Sequence, residues 1–260
     1  MTITYVTITY NAAQVLQRTL DSVLQQDYPD IVHLIIDGAS TDGTIQLIDD
    51  YVQRSNAADN GHRIQVTSEP DHGIYDAMNK GLRSLDGDYV CFLNAGYFLP
   101  APDTVSKIVA SVSQGDLPAV LYGDTNIVDG EGRFLHHRRL APPENLTWKS
   151  FRHGMLVCHQ AFYARTDYAI ATPYNLQYRY SADVDWCIHI MKAAAEEGVP
   201  MLNLHMVVAN YTQEGQTTLH HRESLKERYK VMEHHYGRLQ AFFMHCWFVL
   251  RALGRAFVNN

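Results

Sequence analysis

Thr2–Asp37 reads TITYVTITY-NAAQVLQRTLDSVLQQ-DYPD-IVHLIID, and the alternation inside it decides the fold. Residues 2 to 9 read as a buried strand. Ala12 to Gln26 then place Val15, Leu16, Leu20, Val23 and Leu24 at helical spacing, and Ile31 to Asp37 return to a strand-like run. The pattern continues: Thr44 to Arg54 is helical, Arg63 to Ser68 strand-like, Ile74 to Ser84 helical and Tyr89 to Leu93 strand-like. This alternation predicts an α/β fold with a parallel, doubly wound, Rossmann-like sheet. Such sheets bind ligands beyond the carboxyl ends of their strands, so the polar residues after each strand become the candidates.

Beyond about residue 100 the alternation loosens into a mixed half. Strands are expected near Ala119 to Val128, Arg133 to Leu140 and Met201 to Tyr211, and a helix over Asp183 to Glu197, closed by Gly198 and Pro200. The tail from Leu219 reads as helical and basic. Between His220 and Asn260 stand seven Arg or Lys against three Glu, and the apolar run Ala241 to Leu250 is too short for a membrane span. Two readings stay open for the tail, an interfacial helix on anionic lipid and a helix packed on the domain or on a partner.

The chain has 260 residues and a net charge of -7, so no global basic field favours nucleic acid. Cys91, Cys158, Cys187 and Cys246 form no C-x-x-C pair, and no signal-peptide pattern opens the chain. A cytoplasmic protein is expected, peripheral on the inner membrane face if the tail touches lipid. The triplets at Asn145 and Asn210 are then chance matches to a glycosylation motif.

The first strand ends in Thr9-Tyr10-Asn11-Ala12 and the second in Asp37-Gly38-Ala39-Ser40-Thr41-Asp42-Gly43. Asp37 can accept from a nucleobase N–H or a ribose hydroxyl, the glycines admit a close backbone, and Thr41 or Asp42 can cap the next helix. The third strand runs into Glu69-Pro70-Asp71-His72-Gly73-Ile74-Tyr75-Asp76-Ala77-Met78-Asn79-Lys80-Gly81, and the fourth into Phe92-Leu93-Asn94-Ala95-Gly96. With the second-strand loop, these segments resemble family 2 glycosyltransferases of GT-A fold. The likeness is to a bacterial polysaccharide, colanic-acid-type subgroup carrying E-P-D-x-G-I-Y-D-A-M-N-K-G and F-L-N-S-G-D. It continues through Tyr122-Gly123-Asp124, His159-Gln160-Ala161-Phe162 and Ser181-Ala182-Asp183.

The resemblance implies transfer of a sugar, with inversion, from a UDP- or GDP-linked donor to a saccharide or lipid-linked acceptor. Residues 1–98 would form the donor half, 99–218 the acceptor half and 219–260 the helical tail. Thr9, Asn11, Asp37, Glu69, Asp71, Gly73, Asp76, Lys80 and Asn94 would shape the donor pocket, with Lys80 as a cation for the diphosphate. His159 and Gln160 would lie on the acceptor or phosphate side. Asp183 would take the proton from the attacking hydroxyl, while Asp185, two positions on, is expected to be solvated or structural.

One residue departs from the pattern. The acid of N-S-G-D, which would help hold Mn2+ or Mg2+, is Tyr97 here, and a phenol of pKa near 10 is a poor ligand for a hard cation. A cation held by the diphosphate, basic side chains in its place, or an impaired nucleotide-sugar-binding protein all remain open. The literal D-x-D at Asp183-Val184-Asp185 begins a helix and is not taken as the metal motif. The pairs His136–His137, His220–His221 and His234–His235 lack a metal-ligand context and read as surface or helix-face residues. A sugar-phosphate nucleotidyltransferase would need a Gly-rich basic loop after the first strand, which Thr9 to Ala13 lacks.

Overall fold

The computed structural model describes residues 1–113, 115, 117–213 and 221–258. Four strands, β1 (Ile3–Thr9), β2 (Ile31–Asp37), β3 (Arg63–Ser68) and β4 (Tyr89–Phe92), alternate with α1 (Ala13–Leu24), α2 (Thr44–Ala58) and α3 (Ile74–Arg83). They pair in parallel in the order β3-β2-β1-β4. Every residue of β1 and β2 is buried, as near-continuous apolar runs inside a two-sided sheet should be. β3 is the edge and mostly exposed.

The second half adds α4 (Thr104–Ala110), β5 (Val120–Val128), β6 (Phe134–His137), β7 (Phe162–Arg165), α5 (Thr166–Ala171), α6 (Ala182–Glu197) and β8 (Met201–Thr212). β7 turns the sheet antiparallel by pairing both β4 and β5, and β8 lies parallel to β5. The sheet is therefore α/β and mostly parallel, with a mixed second half. α6 stops at Gly198, whose φ of 70° is the left-handed cap that glycine tolerates best.

The tail forms α7 (His221–Tyr236) and α8 (Arg238–Val258). α7 is tied into the domain: Glu227 accepts the backbone N–H groups of Arg179 and Tyr180, and Tyr236 stacks on Trp148 at 5.5 Å. Ala241 of α8 is fully buried, while Leu239, Phe242, Phe243 and Trp247 are exposed. No described helix is long and apolar enough to cross a membrane. His220 lies outside the described residues, as do the side chains of His221, Arg251 and Arg255.

Candidate active site

At the carboxyl edge of β1 and β2 two loops hold non-glycine residues in left-handed conformation, Asn11 with φ 47° and Ala39 with φ 61°. Such strain persists only where surroundings impose it. Here Asp37 imposes it, accepting from the Ser40 N–H at 2.9 Å and from the Ser68 hydroxyl at 2.7 Å. Asn11 closes the other side: its N–H donates to Ser40 at 2.8 Å and its amide oxygen accepts from the Thr41 N–H at 2.9 Å. Asp42 receives the N–H groups of Thr44 and Ala13, so it fastens the start of α2 to α1. Gly38 is required by contact: a Cβ there would stand 2.5 Å from Asp71 Oδ2.

The loop from Glu69 to Gly81 is organised by its own polar groups. Asp71 accepts from the Gly73 N–H at 2.9 Å, and Asp76 from the His72 N–H at 3.0 Å, where a carboxylate also suits the N-terminal turn of α3. Lys80 pairs with Glu69 at 2.9 Å and donates to the Pro70 carbonyl at 2.7 Å. Its ammonium is thus paired within the loop, and neither Lys80 nor Glu69 is among the residues lining the cavity over the strand ends.

A cavity of about 590 Å³ opens over the ends of β1 and β4. Of the expected residues it brings together Thr9, Asp71, Gly73, Asn94, His159, Gln160 and Asp183, with Tyr97. Asn11, Asp37, Glu69, Asp76 and Lys80 stand behind it as loop scaffolding. The Thr9 hydroxyl and the Asn94 amide oxygen are buried without a protein partner, and both residues line the cavity. A larger concavity of about 880 Å³, between α1 and residues 95–102, shares Tyr97 with the first but holds none of the expected donor, acceptor or catalytic residues, and Asp21 is the carboxylate among its described lining residues.

Asp183, in the first turn of α6, accepts a hydrogen bond from the Tyr75 hydroxyl at 3.1 Å. Tyr75 stacks on Tyr174 at 5.7 Å, and Tyr174 on Trp186 at 4.9 Å. Asn79, one turn beyond Tyr75 on α3, grips both the N–H and the carbonyl of Tyr174. His159 belongs to the same cluster, hydrogen-bonded to Tyr174 at 2.7 Å and stacked on Phe92 at 5.4 Å. Burial lowers its pKa to about 4, with Asp183 pulling weakly the other way, so His159 is neutral at pH 7 and offers no cation to a phosphate.

Two arginines in the cavity wall escaped the sequence reading. Arg138 clamps the carbonyls of Leu140 and Met155, each at 2.6 Å, whereas Arg228 of α7 has a buried Nε with no partner. Tyr75, Asn79 and Tyr174 were also missed as individuals, although Tyr75 and Asn79 stand inside the thirteen-residue motif at helical spacing. Arg228 carried no local signal.

The structure narrows two further expectations. Asp185 is 4% exposed and accepts from His235 Nε2 at 2.7 Å, so it is structural and not solvated. His235, read as a surface or helix-face residue, is 6% exposed and bonds Asp185 of α6 from the face of α7.

Similarity to solved structures confirms the architecture. S. aureus TarS 1-349 in complex with UDP-GlcNAc superposes with a TM-score of 0.68 at 17% identity, over 90% of this chain and 65% of that one, less than two thirds of its length. The mannosyltransferase PcManGT from Pyrobaculum calidifontis, in complex with GDP-Man and Mn2+, gives 0.63 at 17% identity, over 99% and 80%. The fold is that of the GT-A glycosyltransferases.

The sequence comparisons are narrower. The Glycosyl transferase family 2 model matches residues 4–170. A PGL/p-HBAD biosynthesis glycosyltransferase of Mycobacterium bovis (strain BCG / Pasteur 1173P2) is 33% identical over 226 residues, covering 84% of this chain and 80% of that protein. The chain belongs to glycosyl transferase family 2.

GT-A enzymes often use a divalent cation, so the donor set at the end of β4 matters. Tyr97 stacks on Tyr211 at 4.5 Å, and burial pushes its phenol well above the ordinary value, keeping it neutral. Its neighbour Asn94 offers one amide oxygen. A neutral phenol and an amide are a poor donor set for a hard cation that selects carboxylates, and the carboxylates lining the cavity among the described residues, Asp71 and Asp183, come from the α3 loop and α6 and not from the end of β4.

Proposed function

We propose that the chain is an inverting glycosyltransferase that moves a hexosyl or deoxyhexosyl group from a nucleoside-diphosphate sugar to an acceptor hydroxyl in polysaccharide or glycolipid assembly. One observation carries the reading: the Asp183 carboxylate, aimed by Tyr75, shares a cavity with the partnerless Thr9 and Asn94 oxygens at the sheet's carboxyl edge. In it, the donor lies between residues 9–11 and 71–73 with Thr9 and Asn94 facing its polar atoms. Asp37, Asn11, Glu69, Asp76 and Lys80 hold the loops that form its floor. The acceptor enters by Tyr180, Arg138 and Arg228, and Asp183 removes its proton as the oxygen attacks the anomeric carbon opposite the leaving diphosphate. His159 and Gln160 form the apolar-backed wall beside that carbon. The division into residues 1–98, 99–218 and 219–260 belongs to this reading, with α7 lending Arg228 to the acceptor side.

Asp183→Asn tests it. Transfer should fall by on the order of a hundredfold or more, the scale of a lost general base, while calorimetric titration with UDP- and GDP-sugars gives unchanged donor affinity. Undiminished turnover removes Asp183 from the mechanism, and an absence of binding by any nucleotide sugar removes the function.

The reading as an impaired nucleotide-sugar-binding protein is favoured by Tyr97, which stands where the family resemblance implies an acid. A peripheral position on the inner membrane face is favoured by the exposed stripe Leu239, Phe242, Phe243 and Trp247, whose spacing of one helical turn suits a lipid interface. Replacing Leu239, Phe243 and Trp247 by Ser should abolish co-sedimentation with anionic liposomes at unchanged melting temperature. Equal sedimentation rejects it.

A further inference from the structure

Asp183 and Asp185 stand about 200° apart around α6, so the face of α6 opposite the cavity is a separate environment. On it Asp185 and His189 are one turn apart, and α7 brings His234 and His235 against them. His235 Nε2 donates to Asp185 Oδ1 at 2.7 Å, and His189 Nε2 lies 3.7 Å from the same oxygen. The nitrogens of His189, His234 and His235 all fall within 4.8 Å of one another. The ring of His235 is 4.7 Å from that of His189 and 4.9 Å from that of His234. Three convergent imidazoles and a carboxylate are the donors that borderline transition cations select.

We propose that Asp185, His189, His234 and His235 bind a divalent transition cation, of which zinc fits best, and that this ion clamps α7 to α6. Tetrahedral zinc with bonds near 2.0 Å needs ligand atoms about 3.3 Å apart. The 4.8 Å spread closes by rotation of His189 and His234, both exposed, while the ion displaces the proton now shared by His235 and Asp185. Lys192 opposes this step, since its ammonium stands 3.0 Å from His235 Nδ1, the atom that must carry the proton once Nε2 is ligated. The clamp reaches the cavity through α7, whose Glu227 accepts from the chain just ahead of Asp183 and whose Arg228 lines the wall.

The experiment takes the full chain, stripped with chelator and free of nucleotide and manganese. Titrated with zinc it should bind one ion and melt at a higher temperature, and with cobalt it should give the intense visible absorption of a four-coordinate site. His189→Gln/His234→Gln, both changes at exposed positions, should weaken affinity tenfold or more, on the order seen when a metal's supporting groups are removed, and abolish the melting shift. Lys192→Met should tighten binding, and His136→Gln/His137→Gln should leave it unchanged. An equal zinc response in wild type and His189→Gln/His234→Gln, or a response lost only with His136 and His137, overturns the site as adventitious binding elsewhere. No zinc response in the wild type overturns it outright.

Discussion

The parallel half of the sheet, read above as the donor side, and the mixed half, read as the acceptor side, satisfy their polar groups in opposite ways. In the first, Asp37 is held by Ser40 and Ser68, Asp76 by His72, and Lys80 by Glu69 and Pro70, all within the loops of the parallel sheet. In the second, the decisive contacts join distant segments: Tyr75 to Asp183, Asn79 to Tyr174, Glu227 to Tyr180 and His235 to Asp185. A pocket made of strand-end loops is fixed as soon as the sheet forms, whereas a wall made of long-range ties exists only when the last helices dock. Donor binding should therefore survive damage that abolishes transfer.

The largest test of that contrast is Asp185→Ala. Removing Asp185 leaves the buried His235 Nε2–H without its carboxylate acceptor and should cost about 2 to 3 kcal/mol of unfolding free energy, measured by urea denaturation in chelator. Ser40→Ala removes the hydroxyl's hydrogen bonds to the Asp37 carboxylate and from the Asn11 N–H, in an exposed loop where water can replace them, and should cost about 1 kcal/mol. Equal losses would erase the distinction between the halves.

Acid probes both halves at once, through one buried histidine in each. His33 is neutral, its Nε2 bonded to Thr7 and its Nδ1 to Tyr51, and burial lowers its pKa to about 3; His159 is lowered to about 4. A histidine whose folded pKa lies below its unfolded value near 6.5 binds its proton preferentially in the unfolded chain. Stability is thus fully present above pH 6.5 and is lost as pH falls toward the folded pKa, by about 2 kcal/mol per histidine at pH 5. His33→Gln and His159→Gln should each remove about one proton from the slope of unfolding free energy against pH. A slope unchanged by His159→Gln would mean that its ring is not desolvated as the aromatic cluster requires.

The smallest expected effect concerns Tyr97. Tyr97→Asp restores a hard oxygen at the end of β4 and should add a manganese-dependent gain of a few-fold, roughly 1 kcal/mol, to donor affinity in calorimetric titration. Strong manganese dependence in the unaltered chain, not increased by Tyr97→Asp, would show that a cation is held elsewhere.

Much of the donor half was legible in the sequence because its determinants are local. Periodicity of two kinds marked β1 to β4 and the helices between them nearly to the residue, and Gly198 announced the end of α6. The thirteen-residue motif pointed to the correct loop. It did not reveal the division of labour within it, since whether Lys80 faces a ligand or Glu69 depends on side-chain partners that spacing does not encode.

By itself, then, the sequence determined the α/β class, the parallel donor sheet, the strand-end loops and the segment that bears Asp183. Only the tertiary structure decided that Tyr75 aims Asp183, that Arg228 reaches the cavity from α7, that Asp185 and His235 are buried together, and that Lys80 is spent inside its own loop. The physical reason is range: strand and helix patterns arise from neighbours along the chain, while burial and hydrogen-bond partners are set by segments tens of residues apart that meet only when α3, α6 and α7 pack.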